Sequence, residues 1–508
     1  MPCRIRSLLL FDYLRINWRV NKMNLPVILG LLGKLLVIYA GAMCIPLTLA
    51  VVLGEWSVYS FLLSIIIIGI PGFFLMRRFK LTEMKFGVRE AFAAVTGAWL
   101  LASFTGALPY WFADVVPTYI DALFETVSGL TTTGASVISD VEALPQSILL
   151  WRSLTHWVGG LGIIVLFIVL LPKTGMGSVL LFNAEVPGPT NDRVMPRIRD
   201  TAAALWKIYL IFTAICAVLL WMAGMSFLDA LNHAFATIAT GGFSTKNTSI
   251  MYYNSLTIEM IVAFFMIFSG ANFVIYLTVW RKKTMKAFRN TELMVYLLII
   301  IAATLLIAGS LWSNAGNSPG YAFRHALFQV ASIMTTTGYA SVDFDQWPSM
   351  TKIILFLLMF IGGSAGSTSG GMKVSRIILL VKATWAELKR GIHPRVVSSI
   401  KLDDKVIDTE NLSRVGIFFF LYIVTFTGAS IIVAASTGLS PFEAMSAVAA
   451  TLGNVGPGFG TVGPTTTFAG ISLLGKIVLT VCMLLGRLEF FTLLIIFRPE
   501  FWGKGKVW

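Results

Sequence analysis

The sequence predicts an all-α polytopic membrane protein, with four membrane–pore-loop–membrane repeats around a pseudo-fourfold pore and an N-terminal helix pair. Three observations predict it. The 508 residues are 56% hydrophobic and 13% charged, with a mean hydropathy of +0.81, whereas soluble domains are about 25% charged. Apolar runs recur along the whole chain. A short motif rich in Thr and Gly returns four times, at intervals of roughly a hundred residues.

The apolar runs define the spans. Leu25 to Val52, Phe61 to Met76, Met260 to Trp280, Leu293 to Leu311 and Ile471 to Phe497 approach or exceed the roughly 18 residues that mark a membrane-crossing helix. The first run is too long, and too poor in a cleavage site, for a removable signal peptide. With the second it forms the helix pair of residues 1–85. The repeats then occupy 86–200, 201–290, 291–400 and 401–508.

Each repeat carries the motif after a short, mildly apolar segment. The segments are Ile120 to Leu130, Leu228 to Ala239, Phe323 to Met334 and Phe442 to Ala450. Each is near ten residues, too short to span at about 1.5 Å per residue. The motifs are TVSGLTTTGAS (Thr126 to Ser136), AFATIATGGFS (Ala234 to Ser244), QVASIMTTTGYAS (Gln329 to Ser341) and MSAVAATLGNVGPG (Met445 to Gly458). Aligned on Thr-x-Gly, their cores are Thr132–Thr133–Gly134, Thr240–Gly241–Gly242, Thr336–Thr337–Gly338 and Thr451–Leu452–Gly453. The unit therefore reads span, re-entrant helix, loop, span, giving about ten spans and four re-entrant loops. Non-helical backbone at membrane depth is tolerated only where protein buries it or it lines a water-filled path. Four such loops around one axis present rings of carbonyls that can replace a cation's water shell. Glycine permits the close approach, and the helices aim their negative ends at the cation.

The net charge of +14 is sorted by segment, which is an orientation signal rather than a nucleic-acid footprint. Arg4, Arg6, Arg15, Arg19 and Lys22 precede the first run, and Arg77, Arg78, Lys80, Lys85 and Arg89 follow the second. Further clusters are Arg193, Arg197 and Arg199, then Arg281 to Arg289, then Lys373 to Lys405. Tyr110 to Leu150 and Gly438 to Ser472 contain no Lys or Arg; Lys246 and Arg324 are isolated exceptions. By the positive-inside rule both termini are cytoplasmic and the motifs face out. The acids of the first outer segment (Asp114, Asp121, Glu125, Asp140, Glu142) are then expected to draw cations to the mouth.

Cys3, Cys44, Cys216 and Cys482 share no CxxC spacing, and His156, His233, His325 and His393 lack metal-ligand spacing. An intramembrane enzyme would need a nucleophile–base pair or a ligand cluster at membrane depth, and none is visible. No nucleotide-binding loop occurs, so nucleotide dependence must come from a partner. A proton- or sodium-coupled secondary cation transporter (a symporter) is the alternative. Its broken helices normally come as two related halves, against four quarters here.

The four cores, HWVGGLG (His156 to Gly162), NAEVPGPTNDRVMPRIRDTA (Asn183 to Ala202), GGSAGSTSGGMKVSR (Gly362 to Arg376), GNVGPG (Gly453 to Gly458) and LLGRLEFFTLLIIFRPEFW (Leu484 to Trp502) together resemble the Trk/Ktr/HKT superfamily over nearly the whole chain. The resemblance implies potassium uptake across the bacterial inner membrane, with potassium as the transported ion. It also implies a homodimer in the lipid bilayer with one pore per protomer, gated by a cytoplasmic TrkA-like nucleotide-binding ring. The implied filter is Thr132, Thr133 and Gly134; Thr240, Gly241 and Gly242; Thr336, Thr337 and Gly338; and Thr451, Leu452 and Gly453 with Asn454. Serine at a filter glycine accompanies sodium-permeable members of the superfamily, and here all four glycines are present. The implied gate is a loop beneath the filter containing Gly362, Gly363, Gly366, Gly370 and Gly371, opposed by Arg487 in the pore.

Other residues read more simply. Lys373 and Arg376 fit positive-inside anchors, and His156 fits a packed, hydrogen-bonded ring. Asp229, Glu443 and Glu125 fit acids at helix N-termini. Glu489 is two residues from Arg487, spacing that does not bring side chains together on a helix, so its expected partner lies on another helix or in the dimer. Asn183 to Ala202 fits both an ordinary cytoplasmic linker and a gating-partner surface.

Overall fold

The computed structural model describes residues 23–79, 87–162, 198–396, 399–403 and 405–502. The basic clusters before Met23, Lys80 and Lys85, Arg193 and Arg197, Cys3 and most of the Asn183–Ala202 loop lie outside these residues.

Helices α1 (Leu25–Leu53) and α2 (Val58–Arg78) form the N-terminal pair and pack along each other. Gly33 and Gly72 sit at the crossing, where a Cβ on Gly72 would stand 2.7 Å from Leu36 Cβ; small residues allow this approach between membrane helices. The turn between them is tied to the first repeat, because Glu55 accepts the amides of Gln146 (2.7 Å) and Ser147 (3.1 Å).

The first repeat comprises α3 (Val88–Gly106), α4 (Leu108–Phe112), α5 (Tyr119–Leu130) and α6 (Gln146–Gly160). The second has α7 (Ile198–Met222), α8 (Phe227–Ile238), α9 (Leu256–Ser269) and α10 (Phe273–Lys282). The third has α11 (Thr291–Ala315), α12 (Pro319–Met334), α13 (Ser349–Ile361) and α14 (Val374–Ile392). A two-residue hairpin, β1 (Lys401–Leu402) with β2 (Lys405–Val406), precedes the fourth. That repeat has α15 (Thr409–Thr437), α16 (Pro441–Leu452), α17 (Leu473–Leu488) and α18 (Phe490–Leu494), and α19 (Pro499–Trp502) follows.

The short helices α5, α8, α12 and α16 start alike. Thr118, Ser226, Ser318 and Ser440 each accept, through the side-chain oxygen, the amide three residues on. Such a cap contributes about 1 kcal/mol per helix. Each short helix packs against both spans of its own repeat and against the last span of the repeat before it. Thus α8 meets α6, α12 meets α9, α16 meets α13, and α5 meets α17. The last contact joins the fourth repeat to the first, so the packing closes into a cycle.

About ten full spans were expected, and two of the apolar runs prove to be broken helices. Among the described residues six helices are long and apolar enough to cross a membrane, or up to eight if two bent pairs each count as one. The second span of every repeat is short: α6, α9, α13 and α17 have 15, 14, 13 and 16 residues. The run Met260 to Trp280 is two helices bent by 84° at Gly270–Asn272, where Asn272 caps α10 through Val274 N–H. The run Ile471 to Phe497 is bent by 114° at Glu489, whose φ is 59°. The third short helix also exceeds its expected length, with 16 residues from Pro319.

The outward sides of α2, α11 and α15 expose large apolar side chains, including Ile70, Phe74, Leu298, Leu305 and Phe420. Apolar exposure on this scale marks a surface that faces lipid rather than water.

Candidate functional site

The four loops after α5, α8, α12 and α16 have one backbone conformation. In the first, Thr132 N–H bonds to Gly129 O and Thr133 N–H to Ser128 O. The same pair of bonds recurs as Thr240 to Thr237 with Gly241 to Ala236, and as Thr336 to Ile333 with Thr337 to Ser332. In the fourth it is Asn454 to Thr451 with Val455 to Ala450. Thr132, Thr240, Thr336 and Asn454 have φ of 55°, 54°, 57° and 54°, and Gly134, Gly242, Gly338 and Gly456 have φ of 83°, 81°, 80° and 111°.

This corrects the register of the fourth core. Thr451 and Leu452 are still helical and Gly453 is the C-cap. The residues in the loop position are Asn454, Val455 and Gly456, three further on. Alignment on threonine misplaced it; what the four loops share is a residue held at positive φ followed two positions later by glycine. Asn tolerates that conformation. A β-branched threonine does not, so three threonines held there are strained, and such strain persists only where the surroundings enforce it.

The loops touch in a cycle. A Cβ on Gly134 would overlap the Gly241 carbonyl oxygen, one on Gly242 that of Thr337, and one on Gly338 that of Val455. A Cβ on Gly456 would stand 2.7 Å from that of Thr133. Each glycine thus accommodates the middle carbonyl of the next loop. The contacts close into a cycle of four carbonyls, and the threonines and Asn454 of these loops are fully buried. Asn454 Nδ2 also donates to Thr133 Oγ1 (2.9 Å), joining the fourth loop to the first. Neutral oxygens in this arrangement suit a dehydrated monovalent cation.

Buried polar groups brace the loops from behind. Glu125 accepts from Arg152 Nε (2.8 Å), Ser136 Oγ and Val137 N–H. It is not a simple cap; breaking a buried pair of this kind costs about 3–5 kcal/mol. His156 is satisfied at both nitrogens, since Nδ1 donates to Gly129 O (2.7 Å) and Nε2 accepts from Phe243 N–H (3.2 Å). It links the first short helix to the second loop. The acids expected to line the mouth are largely engaged: Asp121 pairs with Lys476, and Asp140 and Glu142 hold Asn247.

Glu443 is the N3 residue of a capping box. Hydrogen bonds from Ser440, then from the Thr461 amide, lower its pKa from 4.5 to about 2. The folded value lies below the unfolded one, so its contribution is complete above about 4.5 and is lost as pH falls through about 2. The Glu443→Gln variant is therefore expected to melt slightly below the parent at neutral pH, by less than about 1 kcal/mol because the group is exposed. The gap should close in melts run toward about pH 3; a gap that widens there contradicts the assignment.

The loop between α13 and α14 lies directly against the second, third and fourth of these loops. Its neck is formed by Gly362 and Gly371, with φ of 73° each; a Cβ on either would come within 2.9 Å of the other's Cα. Gly370 N–H donates to Thr336 Oγ1 (2.6 Å), and Thr240 Oγ1 donates to Thr368 Oγ1 (3.1 Å). A Cβ on Gly370 would meet Gly453 O at 2.6 Å. Gly363 and Gly366 face the break in the second repeat, at Gly270 and Asn272. Glu292 fastens both flanks of the loop, accepting from the amides of Ala365 (2.7 Å) and Ser375 (3.0 Å). Nothing in the sequence pattern singled out Glu292 or Thr368.

Arg487 closes the arrangement. Its guanidinium donates to Thr368 O (2.7 Å) in the loop and to Gly159 O and Gly160 O (both 2.6 Å) at the end of α6. A cation at a helix C-terminus is stabilised by the dipole. Glu489 pairs with Arg376 of α14 at 2.5 Å, and Arg376 lies 4.0 Å over the Phe418 ring. Lys373 is buried and donates to Ser369 O. Neither Lys373 nor Arg376 is therefore a plain surface anchor. Two recesses flank the site: one is lined by Gly134, Gly242, Gly338 and Gly456, the other by Gly370, Lys373, Arg487 and Glu489.

The chain is similar to known transport proteins. Residues 58–504 match the family model TrkH, described as a cation transport protein. The chain is 38% identical to the Trk system potassium uptake protein TrkH of Escherichia coli, over 95% of this chain and 100% of that one. It is 34% identical, with the same coverage, to TrkG of Escherichia coli, another Trk system potassium uptake protein. Among solved structures, the crystal structure of the potassium transporter TrkH from Vibrio parahaemolyticus superposes with a TM-score of 0.85 at 36% identity. The match covers 95% of this chain and 100% of that one.

Proposed function

Since the chain belongs to the TrkH family of cation transport proteins, we propose that it is the membrane pore of a bacterial potassium uptake system. The family is one of transporters, not of enzymes. The observation that carries the reading is the cycle of four strained loops, each glycine admitting the next loop's carbonyl. In this reading potassium binds between Thr132, Thr133 and Gly134; Thr240, Gly241 and Gly242; Thr336, Thr337 and Gly338; and Asn454, Val455 and Gly456. The pore is pseudo-fourfold, its repeats being 86–200, 201–290, 291–400 and 401–508. The recess lined by the four glycines faces out, and both termini are cytoplasmic. The protein acts as a homodimer in the inner membrane under a TrkA-like ring.

The Gly362–Gly371 loop is the gate in this reading. Its hydrogen bonds to Thr336 and Thr240 support that role, because they hold it against the inner end of the filter. Arg487 is the fixed positive charge that latches it. Shortening the loop between Gly363 and Gly370 is expected to raise flux and leave ion preference intact. A shortened variant that inserts normally and transports at the parental rate removes the gating role.

Growth of a bacterium lacking potassium uptake tests the function itself. Expression of this chain is expected to restore growth on low potassium, more strongly with a co-expressed TrkA-like subunit. Failure to rescue in both conditions, with the protein in the membrane, rejects it. Rescue that collapses the proton or sodium gradient in proportion to potassium taken up favours the coupled transporter.

A further inference from the structure

The charged residues that line the recess above the four glycines are basic. Two basic side chains, Arg152 and Lys246, line the recess above the four glycines, and no Asp or Glu is among its lining residues. Both have acidic partners, which are not among the lining residues. Arg152 pairs with fully buried Glu125. Lys246 Nζ is 3.9 Å from Asp229 Oδ2, and Asp229 is also held by Thr245 Oγ1 at 2.5 Å. The basic residue of each pair is thus among the lining residues and its acidic partner is not.

The two cations differ in freedom. The Arg152 side chain is 3% exposed; its Nη1 donates to Ser244 O and its guanidinium lies 4.1 Å from the Phe243 ring centroid. It is a brace. The Lys246 side chain is 20% exposed and lies with Nζ 4.6 Å from the Tyr252 ring centroid, at a pair distance longer than a hydrogen bond. Lys246 is thus held less tightly than Arg152, by one ion pair without a hydrogen bond and one ring contact. Asp140 and Glu142 sit at the rim, where they hold the neighbouring residue Asn247 through its side-chain amide and its N–H.

We propose that Lys246 is a specificity-determining residue at the pore mouth: a fixed positive charge that excludes divalent cations more strongly than monovalent ones before they reach the filter. The physical basis is the Boltzmann exponent, which doubles with ionic charge. Whatever factor the ammonium imposes on local potassium, it imposes that factor squared on a divalent ion. At exposed sites with physiological screening the expected factors are roughly twofold and fourfold. A neutral filter of carbonyls and hydroxyls binds barium as readily as potassium by size. Charge discrimination ahead of it therefore protects uptake from divalent block. This rests on the reading of the four loops as a cation filter.

The test uses the full-length protein in the potassium-uptake-deficient strain, with barium as the external probe. Lys246→Gln, Lys246→Glu and Lys246→Arg are compared by initial rates of potassium uptake. In the Gln variant, the barium concentration for half inhibition is expected to fall about fourfold and the KM for potassium about twofold. The Glu variant should shift further in both, and the Arg variant should match the parent. Added choline chloride should shrink all differences. Equal barium sensitivity in parent, Gln and Glu variants overturns the proposal. So does an Arg variant that behaves like Gln, since shape rather than charge would then matter. Absence of potassium uptake by the parent instead overturns the pore reading on which the proposal stands.

Discussion

Replacement of Gly338 by Ser is expected to lower the preference for potassium over sodium about tenfold or more, the equivalent of about 1.4 kcal/mol, while the protein still inserts. Gly338 has φ of 80°, a conformation that costs any side chain. Its Cβ would also overlap the Val455 carbonyl oxygen and stand 2.8 Å from Pro457 Cδ. The serine can be housed only if Val455 O moves, and that oxygen belongs to the ring proposed to replace the ion's water shell. Gly134→Ser makes the same demand on Gly241 O, so both variants should lose preference. Rubidium and sodium fluxes in reconstituted vesicles read this directly. Unchanged preference in both would sink the filter assignment.

The second large effect is expected at Arg487. Burying a guanidinium at membrane depth costs at least about 2.5–3.5 kcal/mol, and here three carbonyls offset it. Those carbonyls belong to the Gly362–Gly371 loop and to α6, so the side chain ties the loop to the first repeat. It is also a permanent charge lining the recess with Gly370, Lys373 and Glu489. If potassium passes about 8 Å away at an effective dielectric of about 20, the repulsion is about 2 kcal/mol, or about thirtyfold in rate. Arg487→Ala removes latch and barrier together. Potassium flux should rise by an order of magnitude or more by that estimate, and dependence on a TrkA-like subunit should weaken. Loss of insertion or assembly would make Arg487 structural. Unaltered flux and regulation would leave neither role.

The sequence carried the spans and the re-entrant helices because each has a local cause. Apolar runs such as Leu293 to Leu311 have no other solvent than lipid, and segments such as Ile120 to Leu130 are apolar but too short to span. Three of the four loops were legible because Thr-x-Gly repeats literally. The fourth was misplaced, since Thr451 is a helical residue and Asn454 takes the loop position. The bends were not legible. Gly270 to Asn272 interrupts a run that stays apolar on both sides, and Glu489 adopts positive φ without a glycine to signal it. Long-range partners were beyond reach for the same reason. Arg376 reads as an anchor until Glu489 and Phe418 are brought to it from the fourth repeat. Glu292 reads as an ordinary first-turn acid until Ala365 and Ser375 fold onto it.

The central claim is that four loops hold a dehydrated potassium ion between them. Anomalous diffraction from crystals grown in rubidium or thallium measures this most directly. The account predicts a peak on the centre enclosed by the carbonyls of Thr133, Gly241, Thr337 and Val455, weakened when sodium replaces the heavier ion. Ordered filter loops with no peak at that centre, or a peak bound elsewhere in the repeats, would contradict it.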